Sequence, residues 1–419
     1  MKFSERRMIK FEKFTLDNGL RVIVHEDITT PIVAFNILYD VGARDEDESR
    51  TGFAHLFEHL MFGGSANIPN FDSPLQNAGG SSNAFTSNDV TNYYDTLPVQ
   101  NLETAFWLES DRLNQLAFTD KSLEVQRSVV IEEFKQNYLN QPYGDVWLLL
   151  RPLAYKNHPY KWATIGKEIQ HIEDATMEDV KTFFYKHYTP QNGILCVAGN
   201  VTVEEVKELS QKWFGPIKPR ENYSRELPVE PKQTELRKLE VERDVPRDAL
   251  YMTFHMASRI DKRFYLADML SDVLSRGKSS RFTKRLVLEK HLFTELDAFI
   301  TGSSDAGLFV VSGKPMEGVS LEKAYAEVRL ELEILQKELI TEYELQKIKN
   351  KMESINVFGE MSVLNKAMNL CSFELLGDAG MINQQMDNYV NITPKDLQEE
   401  AKEIFKEENS SVLFYKAKK

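Results

Sequence analysis

Apolar and polar positions alternate in the first forty residues and then settle into a helical period. Leu20-Arg21-Val22-Ile23-Val24 follows the turn signal Asp17-Asn18-Gly19, and Ile32 to Val41 is a longer apolar-rich run closed by Gly42. Such runs bounded by turn residues predict two strands within 12–42. Phe53, Phe57 and Leu60 then recur at helical spacing up to Gly63-Gly64, which predicts a short helix with a glycine stop. A polar stretch, Gly79-Gly80-Ser81-Ser82-Asn83, leads into a predicted strand through Tyr93-Tyr94, and helical periods follow at about 102–116, 120–140 and 176–187. Residues 216–246 change character, because Pro216, Pro219, Pro228, Pro231 and Pro246 are interleaved with charges. That composition predicts a linker near the midpoint, dividing the chain into domains 1–215 and 247–419.

The two halves echo each other. Thr176, Asp179, Tyr188 and Asn192 match Thr393, Asp396, Phe405 and Asn409 at one constant offset. Leu102-Glu103-Thr104-Ala105-Phe106 matches Leu321-Glu322-Lys323-Ala324-Tyr325 at nearly the same offset. Two matches in the same order on either side of one linker predict a duplicated α+β domain.

Bulk properties narrow the function. The 419 residues exceed one ordinary core, and 42% hydrophobic with 27% charged residues is the balance of a globular protein. A formal charge of −13 argues against a nucleic-acid partner, which needs a concentrated basic surface. Cys196 and Cys371, far apart in the chain, read as ordinary reduced core thiols. Met1 to Lys10 is charged and lacks an apolar stretch, and no run is long enough to span a membrane, so a cytoplasmic address is expected, or a periplasmic one if a leader has been removed.

The chemistry is concentrated in His55-Leu56-Phe57-Glu58-His59. Imidazoles four residues apart on a helix project from one face, close enough to share a metal, and Glu58 lies beside them. This H-x-x-E-H pattern is the inversion of the H-E-x-x-H zinc signature. At 100° per residue, His55, Glu58 and His59 occupy one arc and Phe53, Phe57 and Leu60 the opposite one. A surface helix that happens to carry two histidines is the competing reading. Catalytic zinc takes three protein ligands and keeps one open position. Glu133 is the candidate third ligand, in an arc with Leu123, Val129, Val130 and Phe134, where an unpaired carboxylate is costly. An ion pair with an arginine such as Arg112 would satisfy it equally. Glu58, free of ligand duty, can take a proton from a water on the zinc and return it to a leaving amine, which makes amide hydrolysis the expected reaction. The other histidines have no ligand spacing, and around 266–277 the second half has no His pair.

With these residues in hand, the chain resembles the M16 (pitrilysin-type) metallopeptidases, specifically half-length members similar to the mitochondrial processing peptidase β-subunit. The resemblance rests on Leu16 to Val22, on Gly52 to Gly64 around the histidines, and on Gln126-Arg127-Ser128-Val129-Val130-Ile131-Glu132-Glu133. It implies one zinc per chain held by His55, His59 and Glu133, with Glu58 as the general base. It also implies two related α+β domains, each an antiparallel sheet with packed helices, which on dimerisation enclose a clam-like chamber admitting unfolded peptides. Partners would be peptide substrates and a second half-size chain, identical or different. Gly79 to Thr86 resembles the strand that holds substrate by edge addition, with Asn83 and Ala84 nearest the cleaved bond and Phe85 and Thr86 following. Three positions depart from the family. Gln126 stands seven residues before Glu133, where the family often carries a second carboxylate. Val287 and Thr294 stand where active relatives carry an Arg and a Tyr that reach the substrate carbonyl. The expected function is therefore a zinc endopeptidase acting on short or unfolded peptides, or a zinc-loaded peptide-binding subunit that needs a different partner chain for activity.

Overall fold

The computed structural model describes residues 8–221 and 223–418, so most of the charged run Met1 to Lys10 lies outside it. The chain builds two compact units, each a sheet with packed helices. In the first unit the strands β1 (Glu12–Thr15), β2 (Arg21–Glu26), β3 (Ile32–Tyr39), β4 (Ser81–Thr86), β5 (Thr91–Pro98) and β6 (Gly193–Gly199) are ordered β1-β2-β6-β3-β5-β4. In the second, β7 (Arg237–Arg243), β8 (Ala249–Met256), β9 (Phe293–Ile300), β10 (Gly307–Pro315) and β11 (Ser410–Ala417) are ordered β7-β11-β8-β10-β9. Apart from β1 the two orders coincide strand for strand. Each sheet is antiparallel, as expected, except for one parallel pair, β2 with β6 and β7 with β11. β7 also takes the last part of the expected linker into the second sheet.

The matched residues do matching work. Thr176 and Asp179 form a reciprocal capping box at the start of helix Met177–His187, and Thr393 and Asp396 form the same box before Pro394–Ile404. At the far ends, Asn192 donates from Nδ2 to the carbonyls of His187 (2.9 Å) and Asp40 (3.1 Å). Asn409 donates likewise to Ile404 (2.8 Å) and His255 (3.0 Å). Two polar clamps start each helix and tie its end to a neighbouring segment, which is why these few residues stand out from a diverged background. Leu102 and Leu321 open helices Leu102–Asn114 and Leu321–Lys337, each following the second strand of a hairpin.

The compact units cut the chain differently from the contiguous ranges 1–215 and 247–419. The first unit comprises the described residues up to Lys135, Trp162–Leu227 and Val357–Gln385, and the second comprises the remainder, including Gln136–Lys161. Helix Val363–Leu375, from the second half of the sequence, buries Ala367, Leu370 and Cys371 against Ile23, Ala34, Leu38 and Ala198 of the first sheet. Helix Val146–Ala154, from the first half, buries Val146 and Leu150 against Ala249, Leu413 and Tyr415 of the second. Each sheet has two apolar faces to cover, and a helix from the other half covers one of them. Periodicity reports that a helix has an apolar stripe, but not which sheet receives it.

Candidate metal centre

The segment from β3 to the motif helix is held by buried charge. Arg44 donates to Asp40 and Asp89 (2.9 Å each), and Arg225, from the expected linker, donates to Asp40 and Asp45 (3.0 and 2.6 Å). The motif helix, Phe53–Leu60, then starts at Gly52, whose φ of +90° and close contact with the Ile165 carbonyl leave no room for a side chain. No side chain in the first turn caps the helix. Instead Glu46 accepts from the Gly52 N–H (3.0 Å) and the Ala54 N–H (2.8 Å), so a carboxylate supplied from outside satisfies two donors at the positive end of the helix. Burial pushes the Glu46 carboxyl up to about 8, against the pull of those two N–H groups.

The helix buries Phe53, Ala54, Leu56, Phe57 and Leu60 and turns His55, Glu58 and His59 to the partly exposed side. The expected arcs are thus the observed faces. Helix Asp120–Phe134 packs across it and brings in Glu133, whose Oε2 lies 3.7 Å from His55 Nε2 and 3.5 Å from His59 Nε2. One donor atom from each of the three residues lies within 4.8 Å of the others, and among the described residues no other such group of His, Cys, Asp or Glu occurs. Two atoms each about 2.1 Å from a tetrahedral ion sit about 3.4 Å apart. The donor set therefore fits zinc in number, type and spacing.

Electrostatics suit the same ion. Burial, helped by His59, lowers the His55 pKa to about 4, so its imidazole is neutral, the form that ligates metal. The His59 hydrogen bond holds the Glu133 carboxyl below its ordinary range against some burial, leaving it ionised. Burial raises the Glu58 carboxyl, opposed by Thr86 beside it at the end of β4. Arg112, the competing partner for Glu133, points elsewhere. It is buried, donates from Nε to Glu109 (2.8 Å) and lies over the rings of Phe71 and Tyr93. Glu133 sits differently from the expectation. Leu123, Val130 and Phe134 are buried, but Val129 is 43% exposed, so Glu133 stands at the rim of the apolar face rather than its centre. Gln126 lies on the same helix, near Gly63 at the motif's glycine stop.

The polar stretch at 79–86 is itself a strand. β4 is the last strand of its sheet, so its outer edge pairs with no other strand among the described residues. Along it Asn83 and Phe85 are exposed, Ala84 and Thr86 partly buried, and the Ala84 N–H donates to the Asn83 side chain at 2.8 Å.

In the second unit the corresponding helix carries carboxylates and no histidine pair. Helix Arg263–Leu274 follows β8 as the motif helix follows β3, and it presents Asp268 and Asp272, again four residues apart. Lys351, on helix Glu342–Gly359, places its ammonium 3.1 Å from buried Asp272. Arg276 faces the other oxygen of Asp272 (3.4 Å), and Asp268 accepts from the Tyr389 hydroxyl (2.7 Å). Val287 packs against the second core, and the Thr294 hydroxyl donates to the Lys314 carbonyl (3.1 Å). The nearby arginines are occupied, Arg281 by Glu344 and Arg285 by Glu331.

A duplicated α+β fold with a His-His-Glu donor set in one unit only is the architecture of a two-domain metallopeptidase. Residues 21–168 match the family described as insulinase (peptidase family M16), and residues 174–352 match the peptidase M16 inactive domain. The zinc protease PqqE of Helicobacter pylori is 31% identical over 415 residues, covering 97% of this chain and 93% of that protein. The chain belongs to the M16 peptidase family. A probable mitochondrial-processing peptidase subunit beta of Arabidopsis thaliana is 26% identical over 312 residues, 71% of this chain and 58% of that one. The crystal structure of a protease from Helicobacter pylori superposes with a TM-score of 0.92 at 29% identity, covering 98% of this chain and all of that one. Among the described residues no helix is long and apolar enough to cross a membrane.

Proposed function

We propose that this chain is a zinc endopeptidase that hydrolyses short or unfolded peptides. The observation that carries the proposal is the convergence of His55 and His59, on the motif helix, with Glu133 of helix Asp120–Phe134, where the motif helix packs against β4, the last strand of its sheet. These three residues would hold one zinc. When bound, zinc supplies a Lewis acid that polarises the scissile carbonyl and brings a water's pKa near neutrality. Glu58 receives that water's proton and delivers it to the departing amine. Its partly buried carboxyl keeps a raised proton affinity, suited to both transfers. Substrate backbone pairs with β4 as an added strand, with Asn83 and Ala84 nearest the scissile bond and Phe85 and Thr86 beyond. Such pairing reads side chains weakly, so extended and unfolded segments are preferred over folded ones. Gln126, on the ligand helix, offers an amide that can hydrogen-bond but brings no charge to the metal.

The test is cleavage of a quenched peptide by purified protein, its loss to chelator and its return with zinc. Glu58→Gln should abolish turnover while zinc per chain stays at one. Cleavage unchanged by that substitution would refute the assignment of the base. A second reading is favoured by one observation: Val287 and Thr294 present neither a cation nor a phenol, and Arg281 and Arg285 are tied to glutamates. On that reading the chain is a zinc-loaded peptide-binding subunit that becomes active with a different half-size chain. Light scattering combined with the peptide assay separates the two. A homodimer with full turnover excludes the subunit reading.

A further inference from the structure

The chain has two cysteines, distant in sequence, and the fold brings them together. Cys196 lies in the middle of β6, opposite Ile23 on β2 and Asn36 on β3. Cys371 lies on helix Val363–Leu375, and its thiol rests on the same patch of sheet, 3.5 Å from the Ile194 carbonyl and 3.9 Å from that of Asn36. Ile194 precedes Cys196 by two residues, so their side chains share one face of the sheet. Both thiols are fully buried in one apolar cluster with Ile23, Ala34, Leu38, Ala198 and Leu370. Burial and the Cys371 thiol beside it push the Cys196 thiol well above its usual range.

We propose that Cys196 and Cys371 are a disulfide-forming pair, closed when the chain folds in an oxidising medium, and that the bond ties the helix contributed by the second half of the sequence to the sheet built by the first. The chemistry is thiol–disulfide exchange with a low-molecular-weight disulfide such as oxidised glutathione. One protein thiolate attacks a glutathione sulfur and releases one glutathione thiol. The second protein thiolate attacks the resulting mixed disulfide and releases the other. The protein pair gives up two electrons and two protons, and one glutathione disulfide becomes two thiols.

Burial sets when this happens. Neither sulfur is accessible once the helix is docked, and a protonated buried thiol is a poor nucleophile. Exchange therefore occurs before docking or during opening, and a folded chain keeps the redox state in which it folded. The bond closes a loop of more than a third of the chain, so it restricts the unfolded state strongly. Two thiols packed as small apolar groups, with no redox role, is the alternative the experiment must exclude.

Full-length protein is unfolded in denaturant with reductant, freed of reductant and refolded by dilution, either into oxidised and reduced glutathione or into reductant alone. In the glutathione arm the intact mass should fall by two hydrogens, a linked peptide containing Cys196 and Cys371 should appear on digestion, and no thiol should titrate after denaturation. That sample should also unfold at a higher denaturant concentration than the reduced one. The Cys196→Ala, Cys371→Ala double variant should unfold at the same concentration in both arms. Natively folded protein from the glutathione arm with both thiols still titratable overturns the proposal, as does a redox-dependent midpoint that persists in the double variant. Should refolding yield nothing soluble, the same mass, thiol and midpoint measurements on protein secreted to the bacterial periplasm decide it.

Discussion

Glu46 offers the sharpest test of how the motif helix is held. Its two carboxyl oxygens accept from Gly52 and Ala54, both buried donors at the start of that helix. Replacing Glu46 with alanine leaves two buried N–H groups without partners, at about 1–3 kcal/mol each, so a loss of roughly 3–4 kcal/mol is expected. The pH dependence is a separate handle. The folded pKa, about 8, lies above the ordinary carboxylate value of 4.5, so the folded state binds this proton more tightly than the unfolded chain does. The associated stability is complete below about pH 4.5 and is lost as pH rises through about 8. At about 1.4 kcal/mol per tenfold in proton affinity, the loss reaches roughly 4–5 kcal/mol by pH 9 as an upper bound. Urea unfolding at pH 5, 7 and 9, with wild type, Glu46→Ala and Glu46→Gln side by side, reads both effects. Glu46→Gln keeps one acceptor and cannot ionise, so its stability should be the flatter function of pH. Equal midpoints for wild type and Glu46→Ala at pH 5, or equal pH slopes for wild type and Glu46→Gln, would show that Glu46 neither anchors the helix nor titrates as argued.

Other outcomes follow from the same contacts. Glu133→Gln should lower zinc content in equilibrium dialysis at least tenfold while circular dichroism is unchanged, because it removes a charged donor from a partly exposed site. Arg112→Ala strands Glu109 in a buried setting and should cost about 3–5 kcal/mol in urea unfolding, with stability partly recovered in the Arg112→Ala, Glu109→Ala double variant. Lys351→Met removes the ammonium facing buried Asp272 and should cost about 2 kcal/mol, read as a lower urea midpoint, with zinc content unchanged at one per chain. Asn83→Ala removes the side-chain acceptor of the Ala84 N–H on the outermost strand and should alter KM for a quenched peptide more than kcat.

Much of the site was legible because its logic is local. The i, i+3, i+4 spacing of His55, Glu58 and His59 puts three polar groups on one helical face whatever surrounds them, and the glycines at 52 and 63–64 delimit that helix. Thr176 with Asp179 and Thr393 with Asp396 betray the duplication because a capping box needs only four consecutive residues. Glu133 was within reach for a weaker reason: the arc argument selected the carboxylate that lies beside the two imidazoles although Val129, counted as apolar core, is exposed. The illegible parts are those that depend on partners distant in sequence. Glu46 and Arg225 hold the motif helix and its lead-in through contacts that no periodicity announces.

The sequence by itself therefore determined the chemistry of one helix face, the repeated helix caps and the two-unit α+β plan, since each is set by residues within a turn or two of one another. Tertiary structure alone decided which sheet each crossing helix covers, that Lys351 faces buried Asp272 in the second unit, and that Cys196 and Cys371 meet. Those outcomes turn on which apolar face finds which partner across long stretches of chain, and burial is indifferent to sequence distance.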